Sequence, residues 1–168
     1  MGLFNLQDNI VRIDPDSLSV PQMKAIWDRD KNKNKETAYQ ELSYVYFLAD
    51  YKSPYNVYPE SIRPNEIQKD FIRNDKWKPD ELILQAIKKY KELQETPVIK
   101  LLNAARSAVH KVTKYLTDKD MDDRNYTKEL EKIGKIIDSL DRLEDKVKKD
   151  IKINEKIRGG GDISSRER

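Results

Sequence analysis

Residues 36–58, ETAYQELSYVYFLADYKSPYNVY, are the stretch from which the fold of the chain can be predicted. In their first half, apolar residues recur at steps of four, three and four, which is the spacing of one face of an α-helix. These residues are Ala38, Leu42, Val45 and Ala49. In the second half, Pro54 and Pro59 disfavour the helical conformation of the residues that precede them. The stretch therefore predicts a buried helix that runs into a rigid, extended segment.

Six of the nine tyrosines of the chain lie in residues 36–58. A buried tyrosine needs a partner for its hydroxyl group, and tyrosine is also enriched in protein–protein interfaces. Two interpretations therefore remain open: the rings form the core of a small helical protein, or some of them contact another chain. A proline-bounded segment outside the helix is poorly placed for the core of its own subunit. The candidate interface residues are therefore Tyr51, Tyr55 and Tyr58.

Apolar residues at helical spacing recur along most of the chain, and no segment alternates cleanly with the period of a β-strand. Further helices are expected near residues 19–28, 64–74, 79–95, 97–116 and 124–153. The last of these follows a short loop and is expected to fold back antiparallel. We therefore predict an all-α fold, an elongated bundle of about five or six helices with a long C-terminal helix and extended terminal arms.

The two ends of the chain are expected to lie outside a helical domain of residues 19–153. Residues 1–18 are predicted to be an arm that packs on a neighbour, or a short strand. Residues 154–168 are predicted to be a flexible tail, since GGGDISSRER consists of glycine and mostly small or charged residues. Two roles of the tail remain open, docking on a neighbouring subunit or solubilising the chain. The residues that would dock are Ile163, Arg166 and Arg168.

The composition of the 168-residue chain limits the classes of protein to which it can belong. Apolar residues make up 37% and charged residues 38%, which favours an elongated protein or a subunit that completes its core against neighbours. The net charge of +3 is too small for a chain that binds nucleic acid over its whole surface. The chain has no cysteine, which excludes disulfides, thiolate zinc sites and cysteine nucleophiles. No apolar run approaches the roughly 20 residues of a membrane span, so a soluble protein is expected.

One loop has the spacing of a calcium site. Four acidic residues match positions 1, 3, 5 and 12 of a calcium-binding helix–loop–helix. They are Asp118, Asp120, Asp122 and Glu129. Asp123, however, stands where glycine should make the sharp turn, and Asn125 stands where a branched apolar residue is usual. Residues that cap the following helix explain the same sequence more simply, so no metal ion or other cofactor is predicted.

The expected helix of residues 97–116 carries a basic face. Arg106, Lys111 and Lys114 are the candidate residues for facing nucleic acid, although such faces are usually only solvated. His110, on the same face, lacks a carboxylate at helical spacing that would orient it as a base. The sequence also contains no glycine-rich phosphate loop and no carboxylate isolated in an apolar segment. We therefore predict that the protein is not an enzyme.

The segment LSYVYFLADYKSPYNVY, residues 42–58, resembles virion structural proteins of large tailed bacteriophages, particularly the crAss-like group. The resemblance rests on an aromatic-rich helix followed by DYKSPY and on the helical layout of about residues 20–116. It implies a small, mostly helical subunit of a ring that is stacked under the portal and joins head to tail. Many copies would surround a channel through which DNA passes without sequence-specific contacts. The implied location is the virion, after synthesis in the cytoplasm of the bacterial host.

The resemblance therefore leads to a connector-ring subunit without a cofactor and without a membrane partner. Its implied partners are copies of itself, the portal and other ring or tail proteins. The main alternative is a nucleic-acid-associated virion or packaging protein that uses the basic face and the basic tail, and a calcium-modulated helical protein is a second alternative.

Overall fold

The computed structural model describes residues 3–8, 10–117 and 123–158, and it describes the side chains of α6, the last helix, only at 127, 128 and 130–149. The chain divides into two compact units, residues 2–95 and residues 96–168. Helices make up 73% of the structure, which confirms the mostly helical prediction. The division falls within the predicted domain of residues 19–153, at the corner where Glu95 is extended and Pro97 begins a new helix.

The first unit combines a β-hairpin with helices. In chain order it contains β1 (Phe4–Gln7), β2 (Ile10–Ile13), a 3-10 helix (Pro15–Ser19), α1 (Pro21–Arg29), α2 (Glu36–Ala49), a second 3-10 helix (Pro54–Val57), α3 (Arg63–Ile67), a π-helical turn that continues α3 (Gln68–Ile72), and α4 (Glu81–Gln94). The second unit contains α5 (Pro97–Thr117) and α6 (Asp123–Arg158). The described part of the chain thus has six α-helices, as predicted, and α6 extends five residues beyond its predicted end.

The N-terminal residues, predicted to be an arm or a short strand, form a hairpin of two short strands. β1 and β2 pair antiparallel, from Phe4 opposite Ile13 to Gln7 opposite Ile10. The buried ring of Phe4 packs on Tyr90, with ring centroids 5.0 Å apart. Each strand has four residues, the lower limit at which alternation is informative, and for this reason the all-α prediction lacked the sheet.

The central helix of the first unit is α2, which contacts α1, α3, α4 and β2. Three residues of its predicted apolar face, Ala38, Leu42 and Val45, are fully buried. Tyr44 and Tyr46 are buried as well, so the covered face is wider than the predicted stripe. For these two tyrosines the core interpretation is confirmed. A helix covered on nearly all sides belongs to the interior of a domain.

The N-terminus of α2 is capped by a residue from the end of α1. Lys35, in the N-cap position, has a left-handed backbone with φ 54° and makes no capping hydrogen bond with its side chain. Instead, Asp30 accepts hydrogen bonds from the backbone N–H groups of Ala38 at 3.0 Å and of Asn32 at 2.9 Å. These bonds, to Ala38 first, hold the pKa of Asp30 below its ordinary value. The negative charge of Asp30 therefore fastens α1 to α2.

We predict that Asp30→Asn lowers the stability of the first unit at neutral pH and that the deficit shrinks in acid. Folding lowers the pKa of Asp30, so its contribution is present above the ordinary carboxyl pKa and is lost as the pH falls through the lowered, folded value. Urea denaturation followed by tryptophan fluorescence measures this, because Trp27 and Trp77 both lie in the first unit. The exposed Asp28→Asn is the matched control. A deficit of equal size at every pH would contradict this role of Asp30.

At the other end of α2, Asp50 is a buried carboxylate that accepts hydrogen bonds from α4. The hydroxyl of Tyr90 donates to Oδ2 of Asp50, and Nε2 of Gln94 donates to the same oxygen at 2.7 Å. The backbone N–H of Lys52 donates to Oδ1, also at 2.7 Å. Burial, and next the nearby charge of Asp50, raise the pKa of Tyr90 far above its ordinary value. The Tyr90 hydroxyl therefore keeps its proton and ties α4 to the end of α2.

Tyr90→Phe is expected to lower the free energy of unfolding of the first unit by about 1–3 kcal/mol, because it removes a donor from a buried carboxylate. Urea denaturation followed by tryptophan fluorescence measures the change. The control is Tyr39→Phe, at a side chain that is 45% exposed and packs edge-on against Trp27. This control should stay within about 0.5 kcal/mol of the wild type. Equal effects of the two substitutions would show that the Asp50 contact contributes no net stability.

In the second unit, α6 folds back along α5. Arg106 of α5 forms an ion pair with Glu144 of α6 at 2.7 Å. Among the described side chains of this unit, only Ile99, Leu102 and Val147 are buried. A helix pair with so small an interior leaves much apolar surface uncovered.

Candidate protein-docking surface

A tyrosine-bearing turn, residues 50–58, follows α2. Ser53 and Tyr58, which precede the two prolines, have the expected extended backbones, with ψ of 133° and 145°. Between them, Pro54–Val57 forms a 3-10 helix where the sequence predicted an extended segment. The cause is the hydroxyl of Ser53, which accepts a hydrogen bond from the backbone N–H of Tyr55 at 3.2 Å and donates to the carbonyl of Phe47 at 2.6 Å. These bonds fold the chain back onto α2.

The side chain of Asn56 holds this turn in place from its buried side. Its side chain is buried, and Nδ2 donates to the backbone carbonyls of Asp50 at 2.9 Å and of Tyr51 at 2.8 Å. Its neighbour Val57 points the other way and is 71% exposed. The turn therefore holds a polar side chain inside and an apolar one outside, which is the reverse of the usual arrangement.

A groove of about 500 Å³ lies beside the turn, and we call it the aromatic groove. Its lining is formed by Leu6, Phe47, Pro54, Tyr55, Val57, Tyr58, Asp70, Phe71 and Arg73. Most of these side chains are apolar or aromatic, whereas Asp70 and Arg73 carry opposite charges. Such a lining, with a few polar groups among apolar ones, is typical of a surface that accepts a partner.

The rings of the groove pack edge to face on the core. Phe47 lies 5.2 Å from Tyr55 and 4.9 Å from Phe71 between ring centroids, and Tyr55 lies 6.3 Å from Tyr58. Burial, and next the nearby carboxylate of Asp70, raise the pKa of Tyr55. Tyr55 is thus held in place by the core while part of its surface stays open to the groove.

The structure brings together two of the three tyrosines that were predicted to contact another chain. Tyr55 and Tyr58 line the aromatic groove, whereas Tyr51 is half-buried outside that lining, with the ammonium of Lys52 5.5 Å from its ring centroid. Sequence reasoning missed Val57 and Phe71 as lining residues. An apolar residue between two proline-bounded tyrosines was the available signal for Val57. Phe71 had no such signal, because only the fold of the π-helical turn after α3 carries it to the tyrosine-bearing turn.

A second groove, of about 630 Å³, adjoins the first at Phe71. It is lined by Ile10, Val11, Glu36, Thr37, Tyr39, Gln40, Ser43 and Phe71. Ile10 is 66% exposed. Phe71 lines both grooves, but half of the lining of the second groove is polar, so the apolar surface is mainly that of the aromatic groove.

The predicted basic face of α5 is only partly available. Arg106 donates to Glu144 of α6 from Nε at 3.3 Å and from Nη2 at 2.7 Å, and its side chain is only 17% exposed. Lys111 and Lys114 are exposed, and His110 is half-buried. Of the three residues predicted to face nucleic acid, the structure therefore leaves two on the surface and uses the third inside the hairpin.

Several predicted site residues lie outside the described residues. Asp118, Asp120 and Asp122 of the calcium-like loop are not among the described residues, nor is the side chain of Glu129. The same holds for the tail residues Ile163, Arg166 and Arg168. Within the described residues, no cluster of three or more metal-ligating side chains is found. Among the described helices, none combines the length and the apolar character that crossing a bilayer demands.

Glu144→Gln is expected to loosen the helical hairpin by about 1–2 kcal/mol, because Arg106 loses a charged acceptor in a partly buried position. Hydrogen–deuterium exchange of the α5 amides measures this local opening and should become faster. Lys148→Gln, which removes one charge at an exposed position of α6, is the control and should leave the exchange unchanged. Unchanged exchange in Glu144→Gln would show that the ion pair does not hold the helices together.

No family model matches the chain, and comparisons with curated proteins and with solved structures found no match either.

Proposed function

We propose that the protein is a non-enzymatic structural subunit that assembles with copies of itself into a ring, and that this ring connects the portal and head of a crAss-like phage to its tail. The observation that carries the proposal is the aromatic groove, where Tyr55 and Tyr58 surround the exposed Val57. Aromatic side chains in such pockets commonly dominate the energetics of protein interfaces.

The second unit supports assembly through copies of the same chain. Four large apolar side chains of its hairpin are 43–55% exposed. They are Leu101, Tyr115, Leu130 and Ile137. A ring that closes by head-to-tail contacts needs two different surfaces on each subunit, and the chain offers the aromatic groove on one unit and these exposed apolar side chains on the other. We therefore take a second copy of the chain as the occupant of the aromatic groove.

The setting in a virion rests on the resemblance of residues 42–58 to crAss-like structural proteins. In this proposal the portal and other tail or ring proteins are neighbours, and DNA passes through the channel without sequence-specific contacts. No cofactor and no membrane take part. Mass spectrometry of purified phage particles tests the setting, since a ring subunit is expected in many copies per particle and its absence from particles would refute the proposal.

A nucleic-acid-associated virion or packaging protein remains the second candidate. The exposed Lys111 and Lys114 favour it, while the pairing of Arg106 with Glu144 weakens it. A salt-sensitive shift of duplex DNA by the isolated protein, lost in the double variant Lys111→Glu, Lys114→Glu, would support this candidate.

The groove is tested with Val57→Glu in the full chain. The substitution removes almost no packing, because Val57 is largely exposed, but it places an unpaired charge in the proposed contact. Self-association, measured by sedimentation velocity, is expected to weaken by about a hundredfold or more. Leu84→Glu, on α4 and outside both grooves, is the matched control because Leu84 is 46% exposed.

Urea denaturation of both variants, followed by tryptophan fluorescence, checks that the first unit still folds. Assembly of Val57→Glu at wild-type strength would contradict the groove as the interface. A chain that stays monomeric as wild type at every concentration would contradict the ring itself.

A further inference from the structure

Most of the exposed charged residues of α6 are sorted by face, and Lys148, which pairs with Asp145, is an exception. Six basic residues, which we call the basic stripe, recur at steps of four, three, seven, four and three, so they lie along one side of the helix. They are Lys128, Lys132, Lys135, Arg142, Lys146 and Lys149. All six side chains are exposed. At 1.5 Å per residue, the stripe is about 31 Å long.

A separate acidic stripe runs beside it. Its members recur at steps of seven, three and four and are likewise exposed. They are Glu131, Asp138, Asp141 and Asp145. At about 100° per residue, the acidic stripe lies about a quarter of a turn from the basic one. The hairpin therefore presents a positive and a negative flank side by side.

The apolar residues of α6 occupy the remaining side of the helix. They recur at steps of three, four, three and four and are half-buried or buried. They are Ile133, Ile136, Leu140, Leu143 and Val147. Both charged stripes are more than about a quarter of a turn from this face. Neither stripe is thus needed to pack α6 against α5.

Ion pairs within α6 are one explanation of the stripes. Asp145 and Lys148 lie 3.5 Å apart, and both side chains are about two-thirds exposed. Glu131, Asp138 and Asp145 each have a basic residue four positions further on, which is the favourable spacing for ion pairs within a helix. Such exposed pairs contribute little each. The same arrangement also provides two complementary surfaces on one chain.

We propose that the basic stripe of one copy lies along the acidic stripe of the next copy, so that α6 helices stand side by side around a ring. This inference rests on the proposed ring and names the lateral contact within it. Because the two stripes are different surfaces, the contact is head-to-tail, which is the kind of contact from which closed rings are built. A polyanion fits less well, since the acidic stripe beside the basic one repels it.

The test uses two triple variants of the full chain. The first is Lys135→Glu, Arg142→Glu, Lys149→Glu, which leaves the basic stripe with three positive and three negative side chains and so without net charge. The second is Glu131→Lys, Asp138→Lys, Asp145→Lys, which makes both flanks positive. In sedimentation velocity, each variant alone is expected to self-associate more than about tenfold more weakly than wild type, because the first loses the attraction between the flanks and the second brings like charges together. An equimolar mixture is expected to associate in pairs, through the unchanged basic stripe of the second variant and the unchanged acidic stripe of the first.

The variant that carries all six substitutions separates contacts between copies from pairs within the helix. It restores opposite charges at the substituted i, i+4 pairs of α6 but leaves the former basic stripe without net charge, so it should recover helix stability and still associate weakly. If the charges act only within the helix, the six-fold variant associates like wild type and mixing the two triple variants restores nothing. That result would overturn the inference.

Further outcomes show whether the proposed ring or only the proposed lateral contact is wrong. If both triple variants associate like wild type while Val57→Glu does not, the ring stands and the lateral contact is refuted. If they associate like wild type and the first triple variant loses a salt-sensitive DNA shift, the basic stripe binds a polyanion and the inference is refuted. A wild-type chain that is always monomeric refutes both the ring and the contact.

Discussion

The first unit depends on the buried carboxylate of Asp50. A carboxylate taken out of water is costly unless donors replace the hydration it loses, so the groups around it have little freedom in where they lie. Tyr90 and Gln94 must approach from α4, and the backbone of Lys52 must turn inward. The carbonyl of Asp50 also accepts a hydrogen bond from Asn56. One residue therefore places α2, α4 and the tyrosine-bearing turn relative to each other.

This constraint explains how the turn can expose an apolar residue. Asn56 supplies donors that satisfy two carbonyls at the end of α2, and those bonds are made beneath the surface. The position next to it is then turned outward whatever side chain it carries. A polar residue at position 57 would suit an isolated subunit better than valine does, because it would keep its contact with water. An exposed valine at this position is what the proposed docking of a second copy would cover.

A network of ion pairs connects α2 to α1 and to the start of α4. Arg29 of α1 forms an ion pair with the buried Glu41 of α2 at 2.7 Å and a second with Asp80. Asp80 also caps α4, since it accepts a hydrogen bond from the backbone N–H of Ile83 at 3.0 Å. Three helices thus meet at one guanidinium. The first unit is organised around α2 by polar contacts at its ends and flank as well as by apolar packing.

Local patterns in the sequence predicted the helices but not the contacts between distant segments. The face of α2 could be read from Ala38, Leu42 and Val45, because the period of a helix is a local property. The burial of Phe4 could not be predicted from the sequence, because it depends on Tyr90, which is remote in the chain. Likewise Arg106 lies among basic neighbours, and its partner Glu144 is 38 residues away.

Likewise, some residues of the aromatic groove could be predicted from the sequence and others could not. Tyr55 and Tyr58 were predicted as contact residues because the prolines beside them are visible in the sequence. Phe71 enters the groove only because the π-helical turn after α3 brings it next to Phe47. The hydrogen bonds of Ser53 replaced the expected extended segment with a 3-10 turn, and side-chain bonds of this kind compete with simple rules for the residue before proline.

The Arg106–Glu144 pair has a consequence for the alignment of the two helices of the second unit. Apolar positions on α6 repeat with a seven-residue period, so sliding one helix along the other by seven residues would cover almost the same side chains. The slide would place Arg106 opposite residue 137 or residue 151, and both are isoleucines. A largely buried guanidinium cannot find an acceptor there, and its desolvation would go uncompensated. A single charged pair thus selects one register from several that hydrophobic packing alone would leave nearly equal in energy.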